Sequence, residues 1–155
     1  GKVVDIPLDV IIKSGKFALR LTAERPFVAS VFTKTTALRK SDFLWSTAVP
    51  ELKPSIYSIT GMAPLLVFTG EKIEVDLELT SVKGKKQKVT LRGEEISTYQ
   101  LSDRVRTFEI TKSSPGLYGA ALITSKSGFG YAPLRPGSTL TRTSIPRSNI
   151  RVLIP

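Results

Sequence analysis

The stretch that decides the fold is Lys72-Ile73-Glu74-Val75-Asp76-Leu77-Glu78-Leu79-Thr80-Ser81-Val82-Lys83-Gly84-Lys85-Lys86-Gln87-Lys88-Val89-Thr90-Leu91-Arg92. Ile73, Val75, Leu77 and Leu79 alternate with Glu74, Asp76, Glu78 and Thr80, the period of two that marks a half-buried strand. Beyond a basic turn, Val89 and Leu91 alternate with Lys88, Thr90 and Arg92. This predicts a β-hairpin, and its register follows from turn chemistry. Three-residue loops favour glycine at the third, left-handed position, so Val82, Lys83 and Gly84 form the loop and Ser81 faces Lys85. Counting back sets Leu77 against Val89 and Val75 against Leu91 on the core face. On the water face it sets Glu78 against Lys88 and Glu74 against Arg92. Val75, Leu77, Val89 and Leu91 are expected to be buried, with Glu74, Asp76, Glu78, Lys88 and Arg92 exposed.

Working outward, further short strands are predicted at Leu65–Phe68, Ile96–Leu101, Thr107–Thr111, Leu117–Thr124 and Phe129–Pro133. They are separated by Thr69-Gly70-Glu71, Gly93-Glu94, Ser102-Asp103 and Ser114-Pro115-Gly116. Toward the N-terminus the same signal predicts Val3–Ile6, Val10–Ile12, Lys16–Thr22 and Phe27–Phe32. The proline-rich stretch 48–64 reads as a connector. Short strands at this spacing predict an all-β chain of Ig-like antiparallel β-sandwich modules, between one and a half and two copies. The expected organisation is an N-terminal half-module (1–47), the connector (48–64), a sandwich module (65–134) and a basic C-terminal extension with a terminal strand (135–155). A repeat supports it: Gly15-Lys16-Phe17-Ala18-Leu19-Arg20-Leu21 aligns with Gly116-Leu117-Tyr118-Gly119-Ala120-Ala121-Leu122. The last strand, Arg151–Pro155, either opens a further module or folds back onto the N-terminal half.

Composition narrows the chemistry. The 155 residues include no cysteine and no histidine. Disulfides, thiolate nucleophiles and cysteine-based metal sites are excluded, as are Ser-His-Asp triads and His-ligated metals. The chain is therefore expected to be no enzyme and to need no cofactor. The longest apolar run, Ala63 to Phe68, is far shorter than the roughly 18 residues of a membrane helix. The chain opens with Gly1 and no leader pattern, which suggests a piece of a longer protein. Its formal net charge is +10. Every acidic residue lies at or before Glu109, whereas the remainder carries Lys112, Lys126, Arg135, Arg142, Arg147 and Arg151. These six form a candidate cationic binding surface.

Other candidate residues each have a structural reading. Trp45, the one tryptophan, is expected to plug a core, and Asp42 to make a local turn bond. Tyr118 is expected to pack or cap a corner, as tyrosines do in Ig-like sandwiches. Glu71, Glu74, Asp76 and Glu78 lie in a line along a strand, which suits a solvated face and not a calcium cage. Glu94 and Glu95 are adjacent and point to opposite faces, so they cannot converge on a sugar. Gly128-Phe129-Gly130-Tyr131 reads as a bulged or closely packed strand.

Arg25-Pro26-Phe27-Val28-Ala29-Ser30-Val31, followed by Ser41-Asp42-Phe43-Leu44-Trp45 and Pro50, resembles a motif in an uncharacterised repeat domain of actinobacterial large secreted proteins. Pro115-Gly116-Leu117-Tyr118 and Leu66-Val67-Phe68-Thr69-Gly70-Glu71 resemble the repeated sandwich units of the same family. The resemblance implies an exported, extracellular or cell-envelope-associated protein. Together these readings favour a non-catalytic structural or interaction module whose partner is an anionic cell-wall polymer or an acidic protein, with no small-molecule substrate. The alternative is a carbohydrate-binding module, which needs an exposed coplanar pair among Trp45, Tyr57, Tyr99, Tyr118 and Tyr131. A basic nucleic-acid-binding domain ranks last, because the cations are not interleaved with stacking aromatics.

Overall fold

The computed structural model describes residues 3–12, 17–37, 40–58, 63–125 and 128–137. In these the chain is all-β: β1 (Ser30–Ala37), β2 (Lys40–Thr47), β3 (Ser55–Ser58), β4 (Leu65–Ser81), β5 (Lys86–Gln100), β6 (Val105–Ser113), β7 (Tyr118–Ser125) and β8 (Gly128–Pro133). Every pairing between them is antiparallel.

The hairpin of β4 and β5 has the register that the alternation and Gly84 require: Leu77 faces Val89, Val75 faces Leu91, Glu78 faces Lys88 and Glu74 faces Arg92. Gly84 takes φ +75°, and the Ser81 amide donates to the Lys85 carbonyl at 2.9 Å. Val75 and Leu77 are fully buried, but Val89 and Leu91 are only partly covered. The reason is position: β4 is central, flanked by β5 on one edge and by β6 and β7 on the other, whereas β5 pairs only with β4.

β4 and β5 each run through a stretch that the sequence marks as a break. Between Gly70 and Ile73 the ladder slips, so that Glu71 and Lys72 oppose the single residue Glu94, a β-bulge that bends the strand without ending it. Glu95 takes a left-handed φ of +58° at the same level. On the other edge β6 ends at Ser113 and β7 resumes at Tyr118. The Ser114-Pro115-Gly116 corner between them is fastened to β4, since the Ser114 hydroxyl donates to the Lys72 carbonyl at 2.7 Å. The two bends touch: a Cβ on Gly70 would lie 2.9 Å from the Gly116 carbonyl oxygen, so only glycine allows this approach.

Because three neighbouring strand lines bend at one level, the sheet curls over itself in a sandwich-like arrangement. β3 borders β6 in one half and β8 borders β7 in the other. The chain leaving β8 reaches back to β3, where the Gly137 amide donates to the Ile56 carbonyl at 2.8 Å. The core lies inside the curl, built from Leu66, Phe68, Leu77, Phe108, Ile110, Leu117 and their neighbours. Segment 48–64, expected as a connector, contributes to it directly through β3, Leu52 and Tyr57. Tyr57 stacks on Phe108 at 5.3 Å between centroids and donates its hydroxyl to the Lys53 carbonyl at 3.0 Å. The corner role expected of Tyr118 therefore falls to Tyr57, while Tyr118 opens β7 and is 38% exposed.

The N-terminal expectations require correction. Residues 3–6, 10–12 and 17–22 form no strand, and the strand expected from Phe27 starts only at Ser30. Alternation supplies an apolar face, but a strand also needs a neighbour to take its backbone hydrogen bonds. These residues have none among the described strands. The two copies of the suggested repeat differ accordingly: Tyr118, Ala120 and Leu122 lie in β7 between β4 and β8, whereas their counterparts Phe17, Leu19 and Leu21 lie in no strand and are exposed. Strand Arg151–Pro155 lies outside the described residues.

Candidate interaction surface

β1 and β2 form a separate two-stranded hairpin with Phe32 opposite Trp45 and Lys34 opposite Phe43. Alternation sorts its side chains into two faces. One carries Val31, Asp42, Leu44 and Ser46, all partly buried. This face leans on β8: an Asp42 carboxylate oxygen accepts from the Phe129 amide at 3.1 Å, and the Tyr131 hydroxyl donates to the Thr47 carbonyl at 2.8 Å. Burial pushes the Tyr131 phenol above its ordinary pKa. The carboxylate lies where any side chain at residue 128 would stand, which explains why the sequence has Gly128 there. Asp42 also accepts from the Phe43 amide at 2.9 Å, so the local bond expected of it forms, inside a strand and not at a turn.

The other face is aromatic and open. Phe32, Phe43 and Trp45 are 51%, 65% and 58% exposed. Phe32 sits 5.0 Å from Trp45 and 6.1 Å from Phe43, with ring planes tilted by 51° and 34°. Trp45 is thus not a core residue. Its strand neighbour Leu44 takes the inward position, and the period of two sends Trp45 outward. The three rings shield one another, and exposed Lys34 shares their face. Exposed aromatic patches of this kind mark interaction surfaces more often than chance exposure does.

Of the six cationic residues, Lys112 and Arg135 lie among the described residues. Lys112 lies on β6 and donates to Glu74 at 3.2 Å, so its charge is largely answered within the chain. Arg135, just past β8, borders a hollow of about 260 Å3 lined by Tyr57, Ser58, Ala121, Ile123 and Leu134. Lys126, Arg142, Arg147 and Arg151 lie outside the described residues.

The carboxylates along β4 belong to an ion-pair ladder on the outer face of the sheet. Glu74 is paired with Arg92 of β5 as well as Lys112 of β6, Asp76 accepts from the Thr90 hydroxyl at 2.7 Å, and Glu78 is paired with Lys86. The hydrogen bond from Lys86 holds the Glu78 carboxyl below its ordinary pKa, and the same bond raises Lys86. Glu71 pairs with Arg20 across a fully exposed gap of 3.2 Å. In Gly128-Phe129-Gly130-Tyr131 the chain is a regular strand in register with β7, close-packed at Gly128 as expected but not bulged.

Sequence reasoning missed the aromatic face because it took Trp45 as a plug. The signal was present in the alternation of Phe43 and Trp45 with Asp42, Leu44 and Ser46, which gives two unlike faces. Among the described residues no helix is long and apolar enough to cross a membrane. Comparison with known proteins found no match: no family model, no curated protein and no solved structure matches the chain.

Proposed function

We propose that this chain is a non-catalytic interaction module of an exported, cell-envelope-associated protein, and that it takes an acidic protein partner on the aromatic face of the β1–β2 hairpin. The observation that carries this reading is the set Phe32, Phe43 and Trp45, all more than half exposed on a hairpin whose opposite face is anchored to β8. Exposing rings that could have been buried costs hydration free energy unless a partner covers them. Lys34 beside the rings and the net charge of +10 favour an acidic partner. The resemblance of the Asp42-Phe43-Leu44-Trp45 segment to large secreted proteins supports the exported setting and the Ig-like repeat character.

The carbohydrate-binding alternative fares worse on geometry. A sugar platform wants coplanar exposed rings, whereas Phe32 and Trp45 are tilted by 51° and Tyr57 is buried. Binding of an anionic wall polymer through the cations from Lys112 to Arg151 would instead depend on counterion release and weaken steeply with salt.

Trp45 is the chain's single tryptophan, so its emission reports on this face alone. Titration with an acidic peptide containing phenylalanine and leucine should shift the emission to the blue. The shift should persist at high salt, and Phe43→Ala should weaken binding at least tenfold. Teichoic-acid-like polymer, heparin and DNA should leave the emission unchanged. Polymer binding that moves the emission, or peptide binding indifferent to Phe43→Ala, would overturn the assignment.

A further inference from the structure

Two features of the molecule lack a strand neighbour among the described residues. The first is the segment Phe17-Ala18-Leu19-Arg20-Leu21-Thr22, where Phe17, Leu19 and Leu21 are 48%, 39% and 52% exposed and alternate with Ala18, Arg20 and Thr22. It has the period of a half-buried strand yet no ladder partner among the described strands. The second is the outer edge of β5, a fifteen-residue strand that among the described strands pairs only through its other edge. A long unpaired edge beside a half-covered apolar face is a template for an added strand. Along β5 the core side is incompletely covered, with Val89, Leu91 and Tyr99 packed against the core but not enclosed by it.

We propose that the 17–22 segment of one copy of this chain adds as an antiparallel strand to the Glu94–Gln100 edge of a second copy. Charge selects the end of the edge. Over residues 86–92 β5 carries Lys86, Lys88 and Arg92 and no carboxylate of its own for Arg20 to meet. At the other end, Glu94 and Glu95 attract it. A register with Phe17 beside Tyr99 and Leu19 beside Ser97 continues the core face, because Ser97 and Tyr99 lie opposite the buried Phe68 and Leu66. The same register sets Arg20 beside Ile96, diagonal to Glu94 and within reach of its carboxylate. Among the described residues Arg20 pairs with Glu71, and both side chains are more than four-fifths exposed. Such a pair is weak and readily exchanged.

Donor and acceptor are different surfaces, so the contact is heterologous and its repetition builds open chains or rings. The proposal rests on the interaction-module reading only in requiring no catalysis. It uses a surface separate from the aromatic hairpin, so either can fail alone.

The test is light scattering with size-exclusion chromatography across a dilution series of the full chain. Apparent mass should climb above 16.9 kDa in monomer steps as concentration rises. Leu19→Asp should hold the mass at the monomer value with unchanged circular dichroism. Arg20→Glu and Glu94→Arg should each weaken association at least tenfold alone, and mixing the two should restore it, since the ion pair then re-forms with reversed sign. Hydrogen exchange at residues 94–100 should slow with concentration in the wild type alone. A wild type that stays monomeric at every concentration, or a Leu19→Asp chain that associates equally, would overturn the proposal. So would concentration-independent protection of residues 17–22, which would place the strand on its own chain. Trp45 emission titrations on the Leu19→Asp monomer test the hairpin reading separately.

Discussion

The two halves of this chain use similar apolar material for opposite purposes. Among the described residues, every fully buried core residue lies between Leu52 and Leu134, whereas thirteen of the sixteen large exposed hydrophobics lie at or before Trp45. Val3, Ile6, Leu19 and Phe27 are no less hydrophobic than Leu66, Leu77 and Phe108. The difference is that β4 has partners on both edges and a curled sheet to bury its face, while the N-terminal portion has a single hairpin resting on β8. Hydrophobic alternation specifies a face, and only topology decides whether that face meets a core or another molecule.

The largest expected contrast comes from truncating one ring in each region. Phe68 is completely buried beside Leu66 and Ala121. Phe68→Ala should cost about 3–5 kcal/mol in urea unfolding, the range for deleting a large aromatic from a packed interior. Trp45→Ala should change stability by no more than about 0.5 kcal/mol, the usual limit at a surface position. Native Trp45 emission should also be red-shifted and open to quenchers. Equal costs at the two sites would mean that the hairpin is part of the core, and the comparison would collapse.

A smaller effect probes why the sheet curls over itself at all. Gly70→Ala places a methyl 2.9 Å from the Gly116 carbonyl oxygen, backbone against backbone, where no rotamer can give way. The expected loss is about 1–3 kcal/mol, typical of overpacking. Gly84→Ala meets no atom within 4 Å and should cost only the strain of its left-handed φ. If the two substitutions matched, the bends of β4 and of the 114–117 corner would not be in contact as described.

How much of this was legible in the sequence depended on how local the information was. Register between β4 and β5 was determined from the loop back to Glu74 and Arg92, because Gly84 fixes the loop and matched alternation fixes the pairs beyond it. The bulge at Glu71-Lys72 was misread as a strand end, since glycine and charge punctuate a bend and a turn alike. β3 was hidden among Pro50, Pro54 and Pro64, which suggested a connector, though Tyr57 two residues from its start is buried against Phe108. The aromatic face was misassigned because tryptophan burial is a tendency of composition, and which side of a two-stranded hairpin faces the body depends on a contact with residues 128–131, far along the chain. The cationic surface was read from the distribution of charge along the chain, which says nothing of internal pairing such as that between Lys112 and Glu74.

The smallest expected effect concerns the ion-pair ladder on the outer face of the curled sheet, and its value lies in the sign. The Lys86 hydrogen bond lowers the Glu78 carboxyl in the folded state. Protons therefore bind the unfolded chain more readily, and the stabilisation is present above the ordinary glutamate value of about 4.3 and is lost as pH falls through the lower folded value. Lys86 is raised by the same bond, so its contribution is present below the ordinary lysine value of about 10.4 and is lost as pH rises through the higher folded value. Glu78→Gln deletes both. The stability difference between wild type and Glu78→Gln should be flat and small across neutral pH, shrink toward zero on the acid side below about 4.3, and shrink again on the alkaline side above about 10.4. Salt should reduce the plateau because the pair is at the surface. Urea midpoints measured across pH at low and high salt would show it. A difference that instead grew as pH fell would mean that Glu78 is raised by burial beneath β5 and β6, and the outer face of β4 would then resemble the interior of the curl more than the open hairpin opposite.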